Sequence, residues 1–451
     1  MQTHNDKPTD DDGLMQQPFI NSIADIIKDC TPPKGIALNG YWGTGKTSAL
    51  LQLYKALTGV SLKEKIPKSS PVIPIWFEAW RYQHEAMPIV ALLHEIRAAF
   101  SLWNKVLEKS GDIAGITFLG VLGAFDETIK AASGGVMSPK LGDLPKIAAE
   151  YEKERYRTHL ASQDLSNLLE QAIETALGKN KKLVIFVDDL DRCHPEAALK
   201  LLEGIKVYLN LKNCVLVFAI DQRQIERALK KALVIDDGSD GHQAREYLEK
   251  ICQDIYHLPL PDKKHKADYL DKLLKELKLD TQAIPTVYLA QIKAIAQTYD
   301  CLPANPRKIK ALANRLGVIL RHNEMLVTLS NVTPAPSPAP KPPFITQTSP
   351  PRTYELLLAM AIIYTFHREL NEQLNKNPLY IKDTVLYAKN PSSVDTKLKD
   401  PMKGIQPSFD GGMTLPTNPS DSNVFRLHEL FTALDSPDIV DDSDIKPFLG
   451  I

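Results

Sequence analysis

The sequence predicts an α/β fold: a parallel sheet with helices on both faces, then a helical module and a small C-terminal region. Three observations carry that prediction. Leu183–Val187 and Val215–Ile220 are short runs of branched and aromatic apolar residues with no polar alternation, as strands buried on both faces require. Segments with helical apolar spacing separate such runs, and strand–helix–strand order favours parallel pairing. From Asp262 the strand pattern stops, and Tyr269–Leu279, Thr286–Tyr299 and Pro306–Arg321 follow as three successive helical patterns.

Taken in order, residues 1–14 are rich in acid (Asp6, Asp10, Asp11, Asp12), which predicts a disordered tail. Pro18–Lys28 places Phe19, Ile20, Ile23, Ile26 and Ile27 at spacings that suit a short amphipathic helix. Gly35–Asn39 predicts a buried strand and Ser48–Leu57 a helix. Val72–Phe77 predicts a second strand, leading into Glu78-Ala79-Trp80-Arg81-Tyr82, and Ile89–Leu107 another helix. Residues 108–145, rich in Gly, Ser and small apolar side chains, predict an insertion; a long charged helix from about Lys146 to Leu177 follows. Pro195–Leu209 is the helix between the last two strands. The first domain then covers residues 15–261 and the helical module 262–332. Pro334–Pro351 holds eight prolines among Ser, Thr and Ala, so residues 333–352 predict an extended linker. Residues 353–451 open with a helix, Tyr354–Leu374, then become turn-rich and end acidic.

A chain of 451 residues with 43% hydrophobic and 24% charged residues is long enough for two or three globular domains. A net charge of −1 argues against coating nucleic acid through bulk charge. Five scattered cysteines without a CxxC pair read as reduced, buried thiols and point to the cytosol. No basic stretch followed by an apolar core opens the chain, so no signal peptide is expected. The apolar stretches Ile113–Phe125 and Leu356–Phe366 would span roughly 20 and 17 Å as helices, against about 30 Å of hydrocarbon, so neither crosses a bilayer.

Gly40-Tyr41-Trp42-Gly43-Thr44-Gly45-Lys46-Thr47, followed by Ser48, matches the phosphate-cradling pattern GxxxxGK[ST] between a predicted strand and a predicted helix. Gly40, Gly43 and Gly45 let the backbone turn its N–H groups, with that of Thr44, toward phosphate oxygens. Lys46 would reach the β and γ phosphates of ATP, and the Thr47 hydroxyl would hold Mg²⁺. The helix N-terminus adds its own attraction for anions. Leu183–Asp189 is the expected second half: a buried strand delivers Asp188 to the metal, and Asp189 stands where an acid polarises the attacking water. The competing reading is a pair of strand-end carboxylates that start a turn or cap the next helix.

These segments resemble the KAP family of P-loop NTPases, a branch of the AAA-related and STAND-like ATPases. The likeness runs through GYWGTGKTSALLQL, WFEAWRY, VIFVDDLDRCHPE, EGIKVYLNLKNCVLVFAID, EYLEKICQDIYHLPLP and NPRKIKALANR, in the family's order, over about residues 15–320. It implies an ATPase core with a helical lid, a Walker A motif at Gly40–Thr47 and a Walker B motif at Leu183–Asp189. Many family members carry membrane helices inserted within the P-loop domain, where this chain has only its short Gly-rich run. The family also includes phage-exclusion and defence proteins, so protein partners, up to a multi-subunit defence complex, are part of what it implies.

Several weaker positions carry two readings each. Arg307 opens the third lid helix, where a related ATPase would place a sensor arginine on the γ-phosphate; a solvated helix residue is the alternative. Arg192 and Lys250 are candidates for an arginine-finger-like cation, set against an ion pair with Asp191 for Arg192 and a solvated helix face for Lys250. Trp76, Trp80, Arg81 and Tyr82 stand where they could meet nucleotide or a partner, with a core position the alternative for Trp76 and Trp80; Asp221 reads as either a sensor or a helix cap. His84 and His94 are too isolated for metal ligation. The functional expectation is a cytosolic Mg-dependent ATPase whose turnover drives or times a conformational change. A non-hydrolysing ATP-binding scaffold and a nucleic-acid-acting motor are the alternatives, and an oligomer is compatible with all three.

Overall fold

A computed structural model describes residues 3–64, 70–85, parts of 88–99, 181–208, 211–233, 242–279, 282–330, 343, 345–389 and 427–434. The insertion at 108–145, the charged helix Lys146–Leu177, most of the proline run and the turn-rich stretch from Pro391 lie outside the described residues.

Five strands, β1 (Lys34–Asn39), β2 (Val72–Glu78), β3 (Lys182–Asp188), β4 (Cys214–Ile220) and β5 (Asp254–His257), pair in parallel in the order β2-β3-β4-β1-β5. Every residue of β4 is buried, which is why its sequence is apolar without interruption. In β3, Leu183, Ile185 and Val187 enter one core while Val184 and Phe186 enter the other. Helices α1 (Gln17–Asp29) and α2 (Lys46–Thr58) cover the second face; α3 (Pro195–Tyr208), α4 (Gln222–Ala232) and α5 (His242–Glu249) cover the first. Phe186 stacks on Trp76 with ring centroids 6.1 Å apart and meets Tyr54 at 5.6 Å, locking α2 onto the sheet. Strand β5 has no counterpart in the sequence reading: it is four residues long, carries Asp254 and His257, and sits partly exposed at the sheet edge.

The helical part comprises α6 (Lys263–Glu276), a two-strand ribbon of β6 (Lys278–Leu279) and β7 (Gln282–Ala283), α7 (Thr286–Tyr299) and α8 (Pro306–Ser330). It continues as α9 (Pro351–Phe366), α10 (Arg368–Lys376), α11 (Tyr380–Lys389) and α12 (Leu427–Leu434). The expected helix Tyr354–Leu374 breaks at His367, whose backbone leaves the helical region at φ −122°, ψ 68°. The stretch Leu356–Phe366 lies in α9 as a core helix, and among the described residues no helix is long and apolar enough to cross a membrane.

Two expectations need correction. Of residues 333–352, expected to form an extended linker, the described part does not stand apart: one apolar core takes in residues from Ala267 to Leu434, the fully buried Ile345 among them. Buried Asn323 on α8 fastens that residue twice, donating from Nδ2 to the Ile345 carbonyl at 2.9 Å and accepting its N–H on Oδ1 at 3.0 Å. Composition weighs the prolines and cannot see one isoleucine anchored by one asparagine. Nor is the acidic N-terminal segment loose over residues 3–14. The His4 N–H donates to Asn314 Oδ1 and Asn314 Nδ2 to the His4 carbonyl, both at 2.8 Å. The Asp12 carboxylate accepts the backbone N–H groups of Leu14, Gln16 and Gln17, capping α1. Acids that would favour disorder if solvated are here caps and ion-pair partners.

Replacing Asn323 strands two buried backbone groups, each costing about 1–3 kcal/mol. Asn323→Ala is expected to lower stability by about 2–4 kcal/mol, read from urea unfolding. Burial and the nearby Lys308 depress His367 to about 4 from 6.5. The unfolded chain therefore binds this proton first, and stability falls as pH drops from 6.5 toward 4, by about 3 kcal/mol at most. Urea midpoints across that window should decline, and less steeply in His367→Gln.

Candidate nucleotide site

Strand β1 ends at Asn39, and the loop to α2 carries Gly43 at φ 84° and Gly45 at φ 96°, both in the left-handed region that side chains disfavour. A Cβ on Gly43 would also come within 2.6 Å of the Asn305 side chain. Helix α2 starts at Lys46, two residues earlier than the apolar pattern indicates, so its unpaired N–H groups face the loop. The Thr44 hydroxyl donates to the Tyr41 carbonyl at 2.6 Å, bracing the turn.

Strand β4 lies between β1 and β3, yet the two ends converge: Thr47 Oγ1 donates to Asp188 Oδ1 at 3.2 Å. Asp188 is 3% exposed, and its pKa rises to about 7, chiefly from burial and then from the neighbouring Asp189 charge. A buried carboxylate held by a hydroxyl is a donor set that fits a divalent metal. Asp189, half-buried at φ 57°, is raised by burial, while Arg192 opposes that rise through an ion pair from Nε to Oδ1 of 2.9 Å. The partner of Arg192 is thus Asp189 and not Asp191.

Lys46 is nearly buried and reaches Asp191 Oδ2 at 3.0 Å, and that oxygen also accepts the Asp221 N–H at 3.0 Å. Sequence reasoning gave Asp191 no role at the phosphates; its two-residue offset from Asp189 in DDLDR was the available signal. Asp221 serves as a cap, its carboxylate accepting the Arg223 N–H at 3.2 Å at the start of α4. Glu78 was also passed over. It pairs in register with Asp188 across β2 and β3, lines the cleft and bonds to Arg81.

The lid closes the cleft from the other side. Asn305, 2% exposed, donates from Nδ2 to the Trp42 carbonyl at 3.2 Å and accepts the Lys308 N–H at the start of α8. Arg307 lies over the Trp42 ring, 4.6 Å from its centroid, and contacts Asp6 at 2.6 Å. The resulting cavity, about 750 Å³, gathers Gly43, Gly45, Lys46, Thr47, Ser48, Asp188, Asp189, Arg192 and Arg307 on one wall or another. Gly40 sits behind it against Leu258, and Lys250 is exposed in the turn after α5, away from the cavity. Trp76 lines the cleft while stacking on the core, whereas Trp80 is half exposed rather than a core residue. His84 approaches only the His194 ring, at 5.7 Å, and His94 lies outside the described residues. None of the five cysteines is in a disulfide, and Cys30 and Cys193 are only partly buried.

A model of the KAP family P-loop domain matches residues 16–323, more than half of the chain. The chain belongs to the KAP family. Among its relatives, the phage T7 exclusion protein of Escherichia coli K12 is 24% identical over 303 residues, covering 62% of this chain. The chain spans about 38% of that relative's length. Two solved structures are similar at low sequence identity. The Orc1 protein of Aeropyrum pernix in complex with DNA shares 14% identity, with 83% of this chain and 70% of that one covered, at a TM-score of 0.37. The Walker-type ATPase PABY2304 of Pyrococcus abyssi shares 13% identity, with 93% and 98% covered, also at 0.37. The family is one of P-loop NTPases, and Gly40–Thr47 and Leu183–Asp189 both lie within the matched residues.

Lys46 reaches back over the loop, its Nζ 3.4 Å from the Tyr41 carbonyl, and charge-assisted contacts contribute about 1.5–3 kcal/mol. Lys46→Ala should therefore weaken nucleotide binding by roughly a hundredfold in calorimetry. Far-ultraviolet circular dichroism should match the wild type.

Proposed function

We propose that this KAP protein binds ATP with Mg²⁺ in the cleft between sheet and lid and hydrolyses it to drive or time a conformational change. The observation that carries this reading is the meeting of Thr47 and Asp188, 141 residues apart, at the mouth of the phosphate loop. Thr47 and Asp188 would hold the metal, which when bound draws charge from phosphate oxygens. Lys46 and the N–H groups at the start of α2 would bind the phosphates, exchanging the Asp191 carboxylate for them. Asp189 is the residue assigned to polarise water. Its burial favours accepting a proton, and Arg192 holds it in place through the 2.9 Å contact. Arg307, on the first turn of α8, is assigned to sense the γ-phosphate, since its planar fork suits phosphate oxygens.

The 24% identity to the phage T7 exclusion protein supports a role in antiphage defence, exercised with protein partners. The lid and C-terminal region, sharing one core, are the natural part to present to such a partner. Water is the assigned phosphoryl acceptor.

Asp189→Asn keeps size and polarity and removes the carboxylate, so it should bind Mg-ATP and release phosphate about 10²–10⁴-fold more slowly than wild type. Steady-state phosphate release measures this. Equal rates in variant and wild type would remove Asp189 from the chemistry, and a rate stimulated many-fold by DNA or RNA would favour a nucleic-acid motor instead.

A further inference from the structure

Three cations of this cleft each hold a carboxylate: Lys46 with Asp191, Arg192 with Asp189 and Arg307 with Asp6. The first two acids come from the loop after β3 and are half-buried or buried. Asp6 differs in kind. Its side chain is 57% exposed, and it belongs to an extended segment that crosses the cavity mouth rather than to the fold's core. That segment is pinned on the lid side by His4 on Asn314 and by Lys310 Nζ on the Lys7 carbonyl, 3.2 Å away. On the sheet side the Thr9 N–H donates to Ser48 Oγ at 3.2 Å, the Ser61 hydroxyl donates to Asp10, and Lys55 pairs with Asp10 at 3.2 Å.

We infer that Asp6 is a specificity-determining residue that competes with the γ-phosphate for Arg307, so that it sets how strongly the site prefers a nucleoside triphosphate over a diphosphate. This rests on the nucleotide reading of the cleft. Asp6 takes the Nε of Arg307 at 2.6 Å and offsets its charge, and the Trp42 ring holds the guanidinium in that position, so a phosphate meeting Arg307 competes with the Asp6 carboxylate. A diphosphate, ending one phosphoryl group short, leaves the Asp6–Arg307 pair in place. A triphosphate breaks it, and the freed carboxylate has open water to enter, unlike the acids from the loop after β3. Because Thr9 touches Ser48 just beyond Thr47, loss of the Asp6 contact loosens the segment that joins lid to sheet.

The test is calorimetric binding of Mg-ADP and of Mg with a non-hydrolysable ATP analogue to wild type, Asp6→Asn and a chain lacking residues 1–8. An exposed ion pair is worth little, so the expected effect is modest: the analogue should bind roughly two- to fivefold tighter to Asp6→Asn, with ADP affinity unchanged. The shortened chain should show the same selective gain. In Arg307→Ala the further change Asp6→Asn should then have no effect on either nucleotide. Equal changes for both nucleotides, or no change for the analogue, overturn the proposal while leaving nucleotide binding intact. A wild type that binds neither nucleotide overturns the reading of the cleft, and this proposal with it.

Discussion

The carboxylate of Asp188 is the constraint around which the site is arranged. Strand β3 is buried on both faces, so its last residue comes out of the sheet with almost no water around it. A charge there is unfavourable unless something positive or hydrogen-donating meets it. The Thr47 hydroxyl does so, and Thr47 is placed by the first turn of α2, which in turn depends on two left-handed glycines. Strand order matters as much. With β4 between them, β1 and β3 stand far enough apart for a phosphate chain to lie across the sheet's end, and close enough for their loops to touch.

Much of this was legible in the residues, for definite reasons. Strands β3 and β4 are fully buried, so their composition is unmistakable, and the glycine–lysine spacing of the phosphate loop leaves little conformational choice. What escaped was information that no local pattern holds. Strand β5 is short and polar because it lies at the sheet edge. Asp191 is adjacent to the motif but finds Lys46 only through the fold. Asn305 could be read as a helix cap before Pro306, yet its contact with the Trp42 carbonyl comes from the lid's position over the loop. The acid-rich N-terminal residues misled because charge alone signals solvation, whereas here Asp6, Asp10 and Asp12 each have a partner.

Three of the cations in the cleft already hold carboxylates, and this shapes what an anion must do there. Three carboxylates already neutralise three cations, so binding phosphate is an exchange of partners rather than the filling of a positive hole. Such exchange gives less net affinity than bare charges would, because each new contact replaces an old one. It gains discrimination instead, since only a ligand with charge at both Lys46 and Arg307 displaces Asp191 and Asp6 together.

The shared core of lid and C-terminal region has a mechanical consequence. Helix α8 touches the phosphate loop at its first residues and extends 25 residues away from it, a length of roughly 37 Å at 1.5 Å per residue. A tilt of only about 5° at the loop end would carry the far end through roughly 3 Å. Asn323 and Ile345 clamp the start of the next helices to that far half, and α9 packs along it. The C-terminal helices would therefore travel as cargo on a stiff arm, magnifying a displacement at the phosphates no larger than the length of a single bond.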